Sequence, residues 1–254
     1  MHIAFIPAKG TSKRVLRKNL QILGGKSLVK ITLDFAESLK FFDFIYLSTD
    51  STEIVFSATG SQKHVDAFES MGEGEVLHVR NELFIHKRRE GDSNESTPTV
   101  VAVLDALRAR SHNTGILTIL QPTSPFRSHS EFRNLIFEFQ KSSAPSMVSV
   151  KEMQDIHPLK SFQINEERRI FLPEHQFHYL TTPIQNLPKY FCPDGAYYLI
   201  NIDYLVTSEN ILSSESMVYV RSGISTLNID TNEQMEIARS LFELATTNGE
   251  GDSE

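Results

Sequence analysis

His2-Ile3-Ala4-Phe5-Ile6-Pro7, followed at once by Ala8-Lys9-Gly10-Thr11-Ser12-Lys13-Arg14, is the stretch on which the reading of the fold turns. The first six residues are a short apolar run closed by proline, the pattern of a strand buried on both faces of a parallel sheet. The loop behind it is basic and contains glycine, so backbone N–H groups and lysine heads can converge on a polyphosphate. It is not a Walker A loop, because Gly-x4-Gly-Lys-Ser/Thr is absent. Residues 1–30 also hold Arg17, Lys18, Lys26 and Lys30 and no Asp or Glu, in a chain of formal net charge −7. An acidic chain with this opening carries a local electropositive site, or else a plain solvated basic face.

Downstream, strand and helix patterns alternate. Helical spacing of Leu28, Ile31, Phe35 and Leu39 predicts a helix over Ser27–Leu39, and Phe44–Leu47 reads as a strand ending at Ser48-Thr49-Asp50. A helix is expected over Ser61–Met71 and a strand over Glu75–Val79, with Arg80–Ser96 polar and irregular. Thr97-Pro98 opens a helix through Val100, Val101, Leu104 and Leu107. Gly115–Leu120 is a strand leading into Gln121-Pro122-Thr123-Ser124-Pro125; Ser130–Gln140 reads as a helix and Ser146–Val150 as a strand. This alternation predicts an α/β fold, a Rossmann-like, mostly parallel sheet with helices on both faces. Loops leaving the carboxyl ends of such strands line one crevice, so Ala8–Asn19, Ser48–Asp50 and Gln121–Arg127 should meet.

From about Lys151 to Cys192 the alternation lapses, with short strands expected at Phe162–Ile164 and Ile170–Leu172; the segment reads as an inserted arm within a single domain spanning 1–246. The core pattern resumes at Gly195–Ile200, a last helix covers about Thr231–Leu244, and 247–254 read as a disordered tail. The single cysteine, Cys192, excludes an intrachain disulfide framework and a Cys-rich zinc site. No apolar run nears the roughly 18 residues that cross a bilayer. No cleavable leader is visible, so the expectation is a cytoplasmic protein without membrane or nucleic-acid partners. His157, His175 and His178 complete no zinc set, Cys192 has no base partner nearby in sequence, and Phe41, Phe42 and Phe44 read as core.

Six motifs in order resemble the acylneuraminate cytidylyltransferase family, also called CMP-sialic acid or CMP-nonulosonate synthetases. They are Ile6–Arg14 with Arg17-Lys18-Asn19, Phe44–Asp50, Leu120-Gln121-Pro122-Thr123-Ser124-Pro125-Phe126-Arg127, His157-Pro158-Leu159-Lys160, Pro193-Asp194-Gly195-Ala196 and Ile229-Asp230-Thr231. The resemblance implies a nucleotidyltransferase-type fold and transfer of CMP from CTP to the anomeric hydroxyl of a sialic-acid-like sugar acid, with Mg²⁺, in a homodimer joined through the 151–192 arm. It implies catalytic roles for Lys18 and Gln121, and nucleotide binding by Ala8, Lys9, Lys13, Lys18, Asn19, Arg80 and Thr99. Sugar binding would fall to Gln121, Thr123, Ser124, Lys160 and Asp194, and metal binding to Asp230 and Asn228. Asp230 equally reads as the N-cap of the last helix.

Departures from the family pattern gather on the acceptor side. Ile184 and Cys192 stand where arginines are usual, Asp194 where asparagine is, and Asn228 where an aspartate is. Lys9 replaces a forked arginine contact with a point charge. An anion at 194 suits an acceptor with an amino group or donor hydroxyl. The alternatives are a catalytically impaired member that binds nucleotide or a partner, and transfer to an acceptor such as Kdo, an amino-substituted ulosonic acid or a polyol phosphate.

Overall fold

The computed structural model describes residues 1–12, 15–93, 97–154 and 156–249. In chain order the sheet-forming and hairpin strands are β1 (His2–Pro7), β2 (Ile22–Leu23), β3 (Lys26–Ser27), β4 (Phe44–Thr49), β5 (Val76–Arg80), β6 (Leu83–Lys87), β7 (Ile116–Ile119), β8 (Ser146–Glu152), β9 (Gln163–Ile164), β10 (Ile170–Phe171), β11 (Phe191–Asn201) and β12 (Met217–Arg221). The helices are α1 (Leu28–Ser38), α2 (Thr52–Thr59), α3 (Gln62–Ser70), α4 (Thr99–Ala109), α5 (His129–Lys141), α6 (Phe177–Thr181), α7 (Ile202–Ser208) and α8 (Asn232–Gly249). Eight strands make the main sheet in the order β12-β8-β11-β7-β1-β4-β6-β5. Six point the same way; β11 runs against β7 and β8, and β5 against β6.

Alternation along the central strands divides the core in two. Ala4 and Ile6 of β1, with Ile45 and Leu47 of β4, pack against α1, α2, α3 and α5. Ile3 and Phe5, with Tyr46 of β4 and Leu117 and Ile119 of β7, pack against α4 and α7. Side chains of period two thus bury both faces, which is why these strands are apolar at most positions. A third, smaller cluster joins Leu23 and Leu28 to Ile229, Met235 and Ala238, docking α8 on the β2–β3 hairpin. That hairpin turns on Gly24 and Gly25, both at positive φ, and a Cβ at Gly24 would stand 2.1 Å from the Phe242 ring.

Three elements differ from the sequence expectation. Residues 80–96 are not irregular throughout: Leu83–Lys87 is β6, an interior strand parallel to β4, and the expected strand before it is the reversed edge strand β5. Its apolar core is only Leu83-Phe84-Ile85, too brief against the flanking charges to stand out. Thr52–Thr59 forms α2, capped by the Ser51 hydroxyl, which accepts from the Ile54 N–H at 3.4 Å. The last helix continues to Gly249, past the expected end at Leu244 and into the segment read as tail. Between β8 and β11 the chain forms the two-stranded β9–β10 unit and short helical turns.

Candidate active site

Ladder hydrogen bonds run past the strand ends and hold the departing loops side by side. Ala8 N–H donates to the Ser48 carbonyl, Leu120 N–H to Phe5 and Arg88 N–H to Thr49, each at 2.9 Å. The loop behind β1 is then clamped twice. Gly10 N–H donates to Asp50 Oδ1 at 2.7 Å, and Asn19 Nδ2 donates to the Lys9 carbonyl at 2.8 Å. Any Cβ at Gly10 would lie 2.7 Å from Ser51 Cβ, so only glycine lets this loop approach β4.

The space so enclosed is a cavity of about 440 Å³. Lys9, Lys18 and Arg88 bring positive charge to it; Asn228, Asp230, Gln121, Thr123 and Thr99, from the first turn of α4, also line it. Lys18 Nζ donates to Asp230 Oδ1 at 2.8 Å, joining the first loop to the segment before α8. Asp230 is not the cap of α8. Thr231 is, through a capping box in which Thr231 Oγ1 accepts from Gln234 N–H and Gln234 Oε1 accepts from Thr231 N–H. The 228–230 segment is tied to the turn beyond β7, because Ile229 N–H donates to the Thr123 carbonyl at 2.8 Å.

Gln121 is held from behind. Arg127 Nη2 donates to its carbonyl at 2.6 Å and Arg127 Nε to the Ala196 carbonyl at 3.1 Å, while burial pushes the Arg127 pKa down to about 10, still a cation at neutral pH. Gly195, at φ +79°, leaves room for the glutamine amide: a Cβ there would meet Gln121 Oε1 at 2.7 Å.

Of the residues expected at the site, Lys9, Lys18, Asn19, Thr99, Gln121, Thr123, Asn228 and Asp230 meet in this cavity. Lys13 and Arg14 lie outside the described residues. The others do not line it. The Ala8 methyl is in the core. Arg80, on edge strand β5, turns to Glu37 at 3.0 Å; Arg88, at the carboxyl end of the unrecognised β6, takes the place in the cleft. The Ser124 hydroxyl is buried and donates to the Asp194 carbonyl at 2.8 Å. Lys160 lies in the arm, its Nζ 3.5 Å from the Leu180 carbonyl. The Asp194 carboxylate is turned to the chain's own groups: its Oδ2 accepts from Arg221 Nη1 at 2.7 Å, and its Oδ1 from Ser149 Oγ and Ala196 N–H. Both side chains of that pair are fully buried, and Arg221 also donates to Glu131 at 2.8 Å. The extra anion read from the sequence therefore balances an arginine 27 residues further on.

A divalent cation has oxygen donors here and little else. Asp230 offers one carboxylate, whose Oδ1 holds Lys18 and whose Oδ2 accepts from Asn228 Nδ2 at 2.8 Å. Among the described residues no group of three or more His, Cys, Asp or Glu could hold a metal. This set fits a hard ion that takes most of its ligands from phosphates and water, as Mg²⁺ does.

A mostly parallel sheet with a basic cleft at the carboxyl ends of its strands is a frame for nucleotide chemistry, and the family model that matches the chain makes it a nucleotidyltransferase. The solved structure of CMP:2-keto-3-deoxy-manno-octonic acid synthetase complexed with CTP has the same fold, with a TM-score of 0.61 at 13% identity over 96% of this chain and 99% of that one. The Cytidylyltransferase family model matches residues 3–247, and the chain belongs to that family. It is 23% identical to pseudaminic acid cytidylyltransferase of Campylobacter jejuni, over 96% of this chain and 97% of that protein. It is 26% identical to CMP-N,N'-diacetyllegionaminic acid synthase of Legionella pneumophila, over 95% and 96% of the two chains.

Proposed function

We propose that the protein transfers CMP from CTP to the anomeric hydroxyl of a nonulosonic acid. The attacking oxygen forms a bond to the α-phosphorus, the bond from that phosphorus to the bridging oxygen breaks, pyrophosphate leaves, and the hydroxyl proton passes to water. The observation that carries this reading is the meeting of Lys9, Lys18 and Arg88 with Gln121 in one cleft at the carboxyl ends of β1, β6 and β7. The acceptors named for the relatives above, pseudaminic acid and diacetyllegionaminic acid, support the acceptor class.

The protein's part is positioning and charge neutralisation. Lys9 and Lys18 bind the triphosphate, Lys18 exchanging part of its contact with Asp230 for phosphate oxygens. Arg88 takes the nucleotide role expected of Arg80, with Asn19 and Thr99 toward the base and ribose. Gln121, braced by Arg127 and Gly195, orients the acceptor hydroxyl through its amide. Mg²⁺, held by Asp230 and Asn228 together with the substrate, would neutralise developing charge on the phosphates.

A homodimer joined through the arm belongs to the same proposal. Ile164 and Ile170, paired across β9–β10, are 68% and 44% exposed, and Phe171 on the other face is 64% exposed, apolar groups that a second copy would cover. Lys160, not among the residues that line its own chain's cleft, would then border the partner's acceptor site. No described helix is long and apolar enough to cross a membrane. A cytoplasmic location belongs to the same proposal. Purified protein with CTP, Mg²⁺ and a panel of nonulosonic and ulosonic acids should release pyrophosphate with at least one nonulosonic acid. Release with none of them, while CTP still binds, would refute the transfer reading.

A further inference from the structure

We propose that Ser48, His86 and Asp105 are positioning residues that fix the guanidinium of Arg88 in the cleft through one directed chain of hydrogen bonds. The inference rests on the nucleotide reading above and adds residues to which that reading gives no role.

Strand register creates the chain. Ser48 of β4 and His86 of β6 are direct partners across a parallel pair, so their side chains share a face. Arg88 follows His86 by two residues and emerges on that face, beside the end of the sheet. This is the face covered by α4, which presents Asp105 from its middle and Thr99 from its first turn. Arg88 Nε lies 3.0 Å from Ser48 Oγ, Ser48 Oγ 3.0 Å from His86 Nδ1, and His86 Nε2 3.1 Å from Asp105 Oδ2.

Donor chemistry then sets the direction of every link. A guanidinium nitrogen only donates, so Ser48 Oγ accepts from Arg88. At the other end the Asp105 carboxylate only accepts, so the imidazole proton sits on Nε2. In the neutral ring Nδ1 is then bare, and it takes the serine hydrogen. Asp105 is itself anchored, accepting from Arg89 Nη2 at 2.9 Å and Nε at 3.1 Å. Ser48 and His86 have no solvent exposure and Arg88 has 3%, so water cannot stand in for a lost link. Burial also favours the neutral imidazole that this direction demands.

The test is calorimetric titration of CTP into the folded protein and its variants, with thermal melting as a check on folding. Ser48→Ala and His86→Leu should each weaken CTP binding about tenfold, the scale of one hydrogen bond to a charged group. His86→Asn keeps an acceptor oxygen for the Ser48 hydroxyl and should stay within about threefold of the parent. In an Arg88→Met background, Ser48→Ala should cost nothing further, since its effect passes through Arg88. Unchanged affinity in folded Ser48→Ala and His86→Leu overturns the proposal, as does an equal penalty for Ser48→Ala with and without Arg88. If Ser48→Ala does not fold, His86→Asn and His86→Leu decide, and equal weakening in both overturns it. Parent protein that gives no CTP binding refutes the nucleotide reading itself, and the relay's purpose falls with it.

Discussion

Replacing Asp194 by asparagine separates a structural role from a ligand-binding one. The new side chain can keep its oxygen toward Ser149 and Ala196, but it sets an NH₂ group against Arg221 Nη1, where the carboxylate now accepts at 2.7 Å. Both partners are fully buried, so the arginine loses one of its two anions with no water to replace it. Breaking a buried pair costs about 3–5 kcal/mol, and because Glu131 still holds Arg221, the lower end applies. For a chain of this size about 3 kcal/mol lowers the melting midpoint by roughly 6–12 °C. Thermal unfolding followed by circular dichroism reads this directly, alongside KM for the sugar acid below the new midpoint. A midpoint within about 2 °C of the parent, with a raised KM, would mean that Asp194 faces the acceptor and that the buried pair contributes nothing.

Lys18→Ala should weaken CTP binding by about tenfold or more, the scale of losing one charge-assisted contact, while the fold persists; undiminished affinity by titration would remove the first loop from the phosphate site. Stability should fall on acidification below about pH 6.5, the unfolded histidine value, because burial lowers the pKa values of His2, His86 and His112 in the folded state. The unfolded chain then binds more protons as pH drops, so melting midpoints should be lower at pH 5.5 than at 7.5, with His86→Asn reducing the difference. A pH-independent His86 contribution would contradict its burial as a neutral ring. Phe171→Asp should leave a monomer by analytical ultracentrifugation if the arm joins two copies, and an unchanged sedimentation coefficient would place any interface elsewhere.

The centre of the sheet was readable because β1, β4 and β7 are buried on both sides and so are apolar at nearly every position. The loops that leave them were readable for the same reason, since carboxyl-end geometry follows once strands are in place. What stayed hidden was contact across distance. His86, Lys87 and Arg88 look like a solvated basic run, yet β6 carries the first inside and sends the last to the cleft. Arg80 appeared better placed only because the strand after it was not seen. Asp194 sits in a motif that invites a ligand, and nothing local announces that β12 brings Arg221 against it. Asp230 resembled a cap until Thr231 and Gln234 took that work.

The bridge from Lys18 to Asp230 joins positions 212 apart along the chain. During synthesis the basic loop emerges well before its acidic counterpart and before the helix that seats the β2–β3 hairpin. A nascent chain therefore carries an unfinished pocket across those 212 positions, and competence to hold a nucleotide waits for Asp230 and the helix behind it.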